Sequence, residues 1–316
     1  MSFSSGVKDE LSRHQTLARH CQIAEIAAII SMCGGVSISE KDHYSLKIQT
    51  ENVYVARKYF TLLKKAFNIE VEVSIRQGTF SKGNRTYTVA VLNHEDAIRI
   101  LKAARLFNAD MEIEEQFSIS DNLVIQKTCC RRAFIRGAFL TAGSISDPQK
   151  FYHFEIVCAT VHKAVQLQEI MNGFGVDAKI VQRKKHFVVY LKEGSQIVDM
   201  LNVMGAHVSL MELENVRILK EMRNSVNRKV NCETANIHKT VSAAVRQIED
   251  IRYIQQKIGF EQLSEGLAEI ARLRLEQPEA TLKELGMMLS TPVGKSGVNH
   301  RLRKLSLIAQ DIRERS

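Results

Sequence analysis

Between Val53 and Phe67 the apolar positions Ala56, Tyr59, Phe60, Leu63 and Phe67 fall three and four apart, the spacing of a helix with one buried face. Immediately afterwards the period changes. Ile69, Val71, Val73 and Ile75 alternate with Glu70, Glu72, Ser74 and Arg76, which predicts a half-buried strand with Glu70 and Glu72 facing outward. Tyr44 to Thr50 alternates in the same way, Leu46 and Ile48 against Lys47 and Gln49. Gly78 and Gly83-Asn84 bound a polar turn, and Tyr87, Val89 and Val91 form the returning strand of a hairpin. A helix from about His94 to Leu106 follows. Ahead of these elements, residues 3–20 suggest a short amphipathic helix, and an apolar helix runs from about Cys21 to Cys33.

This order then recurs. A helix is expected at Arg131–Thr141, a strand at His153–Val157 and a helix at Val161–Phe174. The strands Ala178–Val181 and Phe187–Leu191, turned by Arg183-Lys184-Lys185-His186, precede a helix at Ser195–Met204. Val53, Ala56 and Leu62 correspond to Val161, Ala164 and Ile170; Tyr87-Thr88-Val89 and Leu101 correspond to Phe187-Val188-Val189 and Leu201. Two α-β-α-β-β-α blocks thus occupy the first two thirds of the chain. Each opens on an apolar helix with small residues that ends in Gly34-Gly35 or Gly143-Ser144 and runs into a strand. Small residues let two helices approach closely, and a terminal glycine can take the left-handed C-cap conformation.

From Val208 the pattern is helical. Leu210–Val226 carries Arg217, Lys220 and Arg223 on one side, and Asn227-Arg228-Lys229-Val230-Asn231 reads as a break. Ala235–Ile258 places Ile237, Val241, Ala244, Ile248, Ile251 and Ile254 at helical spacing, which calls for a packing partner. After Gly259 come three helices: Leu263–Leu275, one capped by Thr281 with Glu284 at the capping-box position, and one from Lys295 to Ser306. Val298, Leu302 and Leu305 form the buried stripe of the last, and Ser290-Thr291-Pro292-Val293-Gly294 is a short turn. A helix, tight turn and second helix of this size predicts a helix-turn-helix. The expected organisation is a duplicated domain over residues 1–210 (repeats about 21–107 and 129–205), a helical linker 211–232, and a domain 233–316 whose motif spans about 280–313. The fold class is α+β, ending in an all-α unit.

Composition narrows the function. No apolar run among the 316 residues approaches the ~20 needed to span a membrane, and the start of the chain has no signal-peptide pattern, so a cytoplasmic protein is expected. The six cysteines lack CxxC spacing; reduced thiols and no metal site are expected. The net charge is +9, and residues 217–316 hold 18 Lys/Arg against 12 Asp/Glu. That concentration favours a polyanion there, most simply double-stranded DNA. In helix-turn-helix geometry, Lys295, Ser296, Asn299, His300 and Arg303 face the major groove, with Arg301 and Lys304 on the flanks and Thr281 at the start of the preceding helix. Asn can pair bidentately with adenine and Arg with guanine, while a helix start suits phosphate.

The duplicated motif resembles the LAGLIDADG homing-endonuclease fold, in which two motif helices pack at a pseudo-twofold axis. Joined to Ala280-Thr281-Leu282-Lys283-Glu284-Leu285-Gly286 and Lys295-Ser296-Gly297-Val298-Asn299-His300-Arg301-Leu302-Arg303-Lys304, it resembles the bacterial WhiA family along essentially the whole chain. Arg136-Gly137-Ala138-Phe139-Leu140 and Gln49-Thr50-Glu51-Asn52 add to the likeness. The resemblance implies a nucleoid-associated transcription regulator tied to cell division and chromosome segregation, and to sporulation in bacteria that sporulate.

LAGLIDADG nucleases hold divalent metal with an acidic residue at the end of each motif helix. Here those positions fall on Gly34 and Gly143, or, one residue away, on Cys33 and Ala142 or Gly35 and Ser144. None is a carboxylate. Glu40 and Asp147 come too late, so no catalytic residue, no cofactor and no enzyme are expected. Lys47, Lys179, Arg131, Arg132, Arg136 and the Arg183-Lys184-Lys185 turn are accessory candidates for DNA contact; the alternative is a regulatory protein bound on the duplicated domain. The competing reading of the whole chain is an interaction scaffold that binds DNA weakly and without sequence choice.

Overall fold

The computed structural model describes residues 2–38, 43–77, 85–107 and 123–315, so the polar turn at Gly78 and Gly83-Asn84, and Glu40, lie outside the described residues. Contacts divide the chain into two compact units, Met1–Lys220 and Glu221–Ser316.

The first unit begins with α1 (Phe3–Arg13). Its first repeat runs α2 (Arg19–Cys33), β1 (Gly34–Ile38), β2 (Tyr44–Thr50), α3 (Val53–Phe67), β3 (Glu72–Gln77), β4 (Arg85–Val91) and α4 (His94–Ala103). The second runs α5 (Thr128–Ala142), β5 (Gly143–Ile145), β6 (Phe154–Cys158), α6 (Val161–Asn172), β7 (Lys179–Arg183), β8 (His186–Leu191) and α7 (Gly194–Met204). Among the described residues each repeat therefore holds four strands, because β1 and β5 continue directly from the motif helices. The antiparallel sheets have matching orders, β1-β2-β4-β3 and β5-β6-β8-β7. Their registers match as well: Gly34 pairs with Ile48 and Gly143 with Ile156, and these in turn pair with Val89 and Val189.

α2 and α5 pack together at the centre of this unit. α2 is apolar almost all round and buries Cys21, Ala24 and Ile26 to Ile30, as a helix enclosed by protein must. The helices come close at Gly137, where a Cβ would lie 2.7 Å from the Glu25 carbonyl oxygen and 3.0 Å from Ala28 Cβ. The small residues thus act as expected, but the terminal glycines do not. Gly34 (φ −81°, ψ 157°) and Gly143 (φ −89°, ψ 156°) are extended, not left-handed. Crowding is what selects glycine there. A Cβ on Gly34 would meet Ile30 O at 2.5 Å, and one on Gly143 would meet Phe139 Cδ2 at 2.2 Å.

Three charges are buried beside the helix pair. Glu25 faces Lys58 Nζ and Arg136 Nη1, each at 3.4 Å, and accepts a 2.8 Å hydrogen bond from Thr16. Lys58 also donates to the carbonyls of His14 and Leu11, and Arg136 Nε donates to Met204 O at 2.7 Å.

Two expectations need correction. β3 starts at Glu72 and is exposed throughout: it is an edge of its sheet, and Val73 and Ile75 line an open cavity with Val53, Ala56 and Phe60 of α3 instead of packing closely beneath that helix. The break at 227–231 is also absent. α8 runs unbroken from His207 to Lys257, since Asn, Arg, Lys and Val there lack the Gly or Pro that would stop a helix. Within α8, Ile251 and Ile254 are buried as expected, whereas Ile237 and Val241 are exposed.

In the second unit, α9 (Glu265–Glu276), α10 (Leu282–Met288) and α11 (Lys295–Arg315) enclose a core of Leu267, Ile270, Leu285, Leu289, Val298, Leu302 and Leu305, completed by Ile251, Ile254 and Phe260. The turn into this trio passes through Gly259, which has φ +73°.

Candidate nucleic-acid interface

The geometry of α10, the turn and α11 is set by three local devices. Thr281 caps α10 in a full capping box: its hydroxyl accepts from Glu284 N at 3.3 Å, and the Glu284 carboxylate accepts from Thr281 N at 2.7 Å. The turn closes through Val293 N, which donates to Gly286 O at 3.1 Å. Gly286 is buried in the angle between the two helices, with space for no side chain. Finally, Glu269 of α9 accepts from Ser290 N at 2.6 Å. That backbone hydrogen bond holds the Glu269 carboxyl below its ordinary pKa, so it stays charged against the turn.

Val298, Leu302, Leu305 and Ala309 turn one side of α11 into the core. The opposite side leaves Lys295, Ser296, Asn299, His300, Arg303 and Lys304 exposed, and its middle is free of carboxylates. Arg301 does not join this row. It lies three residues after Val298, on the rim of the buried stripe, and its guanidinium packs on Gly266 of α9 and donates to Gly266 O at 3.4 Å. Thr281 is exposed, with its oxygen engaged as the cap.

Sequence reasoning missed the residue that ties this motif to α8. Arg274 is buried, donates to Gln247 Oε1 of α8 at 3.0 and 3.1 Å, and reaches Ala280 O at 2.7 Å ahead of α10. Its signal was faint: an arginine among Leu267, Ile270 and Ala271 in the apolar stripe of α9.

The accessory candidates in the first unit separate into two groups. Arg136 is buried and bound to Glu25, Thr16 and Met204, so it cannot reach a phosphate. Arg131 is half-buried with Nε on Ile125 O at 3.0 Å. Arg132 is exposed, its guanidinium lying over the Phe174 ring. Arg183 and His186 form the last rung of the β7–β8 ladder, so the turn narrows to the exposed Lys184-Lys185, and Lys184 takes φ +55°. Arg183 also binds Glu155 at 2.8 Å, together with His153 and Ser144. Lys179 pairs with Asp177 at 2.6 Å, and Lys47 is half-buried on β2.

At the ends of α2 and α5, the crowding around Gly34 and Gly143 leaves room for no side chain at those two positions. Among the described residues, no helix is long and apolar enough to cross a membrane.

Comparison with known proteins gives consistent matches along the chain. Residues 19–107 match the WhiA N-terminal LAGLIDADG-like domain, residues 131–223 the WhiA LAGLIDADG-like domain, and residues 226–309 the WhiA C-terminal HTH domain. The chain is 55% identical over 314 residues to the probable cell division protein WhiA of Lachnoclostridium phytofermentans, covering 99% of this chain and all of that one. It is 49% identical over 318 residues to the protein of the same name in Alkaliphilus oremlandii, covering 99% and 98%. Among solved structures, the full-length DUF199/WhiA of Thermotoga maritima superposes with a TM-score of 0.60 at 24% identity over 98% of this chain and 99% of that one, a likeness of fold.

Proposed function

The chain belongs to the WhiA family, and from that premise we propose that it is a sequence-specific regulator that binds double-stranded DNA and acts in bacterial cell division. The observation that carries this reading is the exposed row on α11. Lys295 and Ser296 sit at the helix start, where a phosphate is favoured, and Asn299 and Arg303 follow one turn apart on the same outer side. These are the residue types that read adenine and guanine in the major groove. His300 and Lys304 flank them as phosphate or solvent contacts. The relatives named as probable cell division proteins support the cellular role, and the reading extends to transcription control, chromosome segregation and, in spore-forming hosts, sporulation. A cytoplasmic, nucleoid-associated location follows from such a role.

The LAGLIDADG-like unit serves this function without catalysis. Metal-assisted phosphodiester hydrolysis needs oxygen ligands on the metal, and Gly34 and Gly143 supply none. Arg132, Lys184 and Lys185, all exposed, are the side chains through which this unit would add affinity for the DNA backbone. We assign DNA reading to residues 233–316, with 211–232 as the helical connection from the duplicated domain of 1–210.

The reading is tested by fluorescence anisotropy of the full chain on genomic duplex fragments at two salt concentrations. A fragment that outcompetes random duplex by at least ~10³-fold supports specific recognition. Equal affinity for every fragment, vanishing at the higher salt, favours the interaction scaffold instead.

A further inference from the structure

At the starts of the two motif helices, four side chains that CxxC spacing could not reveal converge. His20 and Cys21 occupy the second and third positions of α2; Cys129 and Cys130 occupy the same positions of α5. The backbone turns that begin the helices match too: Cys21 N donates to Ala18 O at 3.0 Å, and Cys130 N to Lys127 O at 2.9 Å. The internal duplication therefore brings two ligand pairs, far apart in sequence, face to face. The ligating atoms of all four residues lie within 4.8 Å of one another. His20 Nδ1 is 3.2 Å from both Cys21 Sγ and Cys130 Sγ.

We propose that His20, Cys21, Cys129 and Cys130 bind one zinc ion that fastens the start of α2 to the start of α5. Zinc favours a closed tetrahedron of sulfur and nitrogen, and three cysteines with one histidine are a common structural set. With metal–sulfur bonds of ~2.3 Å and metal–nitrogen bonds of ~2.0 Å, a tetrahedron needs ligand separations of ~3.5–3.8 Å. The cluster comes to that requirement if the 3.2 Å His20–thiol contacts open by a few tenths of an ångström and the wider separations, all within 4.8 Å, draw in around the ion. A bare cluster also leaves polar groups poorly matched. Nδ1 faces two thiols but, unprotonated, accepts from one; a metal engages every one of these atoms at once.

The surroundings fit the charge that results. Binding displaces one proton from each thiol to solvent, and three thiolates on a divalent ion carry one net negative charge. Two helix N-termini point their positive ends at it, the environment that stabilises thiolate. Cys21 and Cys130 are buried while His20 and Cys129 are exposed, so an ion has a route in and a sheltered seat. The site would brace one end of the α2–α5 pair, far along those helices from Gly34 and Gly143.

The test uses the full chain purified under reducing, metal-free conditions, with Zn2+ and Co2+ as probes. The expected results are one zinc retained per chain after desalting, and a Co2+ spectrum with thiolate charge-transfer and the intense visible bands of a tetrahedral ion. Cys21→Ser and Cys130→Ser should each remove the charge-transfer bands attributable to stoichiometric cobalt. Zinc should also protect Cys129 from alkylation while leaving the exposed Cys232 reactive. This last measurement needs no variant, so it decides the matter even if the serine proteins fail to fold. Weak octahedral cobalt without charge transfer, equal alkylation of Cys129 with and without zinc, or a disulfide from Cys21 to Cys129 or Cys130 in freshly isolated protein would each overturn the proposal.

Discussion

A Cβ on Gly286 would lie 2.2 Å from the carbonyl oxygen of Val293, so the tight angle of the helix-turn-helix exists only because that side chain is absent. Gly286→Ala should force α10 and the turn apart and destabilise the second unit by about 1–3 kcal/mol, the usual cost of overpacking. Gly294, in the same turn, has no atom within 4 Å of its notional Cβ. Gly294→Ala should change stability by no more than ~0.5 kcal/mol. Hydrogen exchange of amides in α10 and α11 measures both effects. Equal protection in the two variants would contradict the packing described for the turn.

The Glu25 carboxylate is fully buried between Lys58 and Arg136. Glu25→Ala would leave two buried cations facing each other and should cost about 3–5 kcal/mol. Arg136→Ala should likewise lower the denaturation midpoint, whereas Arg132→Ala, on the exposed side of α5, should not. Any loss of DNA affinity in the Arg136 variant should disappear once binding is corrected for the folded fraction. An Arg136 variant with an unchanged midpoint but weaker binding would return this residue to the DNA contacts.

Acidic residues placed at the motif-helix ends should not restore nuclease activity. Gly34→Asp and Gly143→Asp would drive a side chain into Ile30 and Phe139. The doubly substituted chain should therefore unfold at lower denaturant and leave supercoiled plasmid uncut in Mg2+. Nicking that depends on both aspartates would show that the packing yields to admit metal.

His14 gives the first unit a pH dependence of known sign. Burial, aided by the nearby cations of Arg136 and Lys58, lowers its pKa from 6.5 to about 4. Between those values the unfolded chain binds a proton that the folded chain refuses. Its contribution to stability is complete above pH 6.5 and is lost as pH falls toward about 4. Urea midpoints across that interval should fall more steeply for the native sequence than for His14→Gln. Parallel profiles would place the sensitivity elsewhere.

Periodicity exposed the duplicated architecture because most of its elements bury one face. Leu46 and Ile48 alternate with polar residues and are buried as that pattern predicts. In α11, Val298, Leu302 and Leu305 announced both the helix and its orientation. The failures arise where local pattern and tertiary cover part company. Val73 and Ile75 alternate as well as any residues in the chain, yet edge position leaves them exposed. Residues 227–231 are polar enough to suggest a break but contain nothing that stops a helix. Arg136 read as one of three clustered cations, and only the approach of Glu25 from another helix shows that it belongs to the core. Pairings across the duplication, such as His20-Cys21 with Cys129-Cys130, are invisible to any search for ligands close in sequence.

Recognition by α11 is tested most directly by selecting bound duplexes from a random pool with the full chain, then measuring Asn299→Ala and Arg303→Ala against the enriched sequence and its single-base variants. Each substitution should cost about 1–3 kcal/mol on the enriched sequence and abolish discrimination at one base position, while Lys295→Ala should weaken all sequences alike. No enrichment from the pool, or enrichment that survives both substitutions unchanged, would contradict the assignment of α11 as the reading helix.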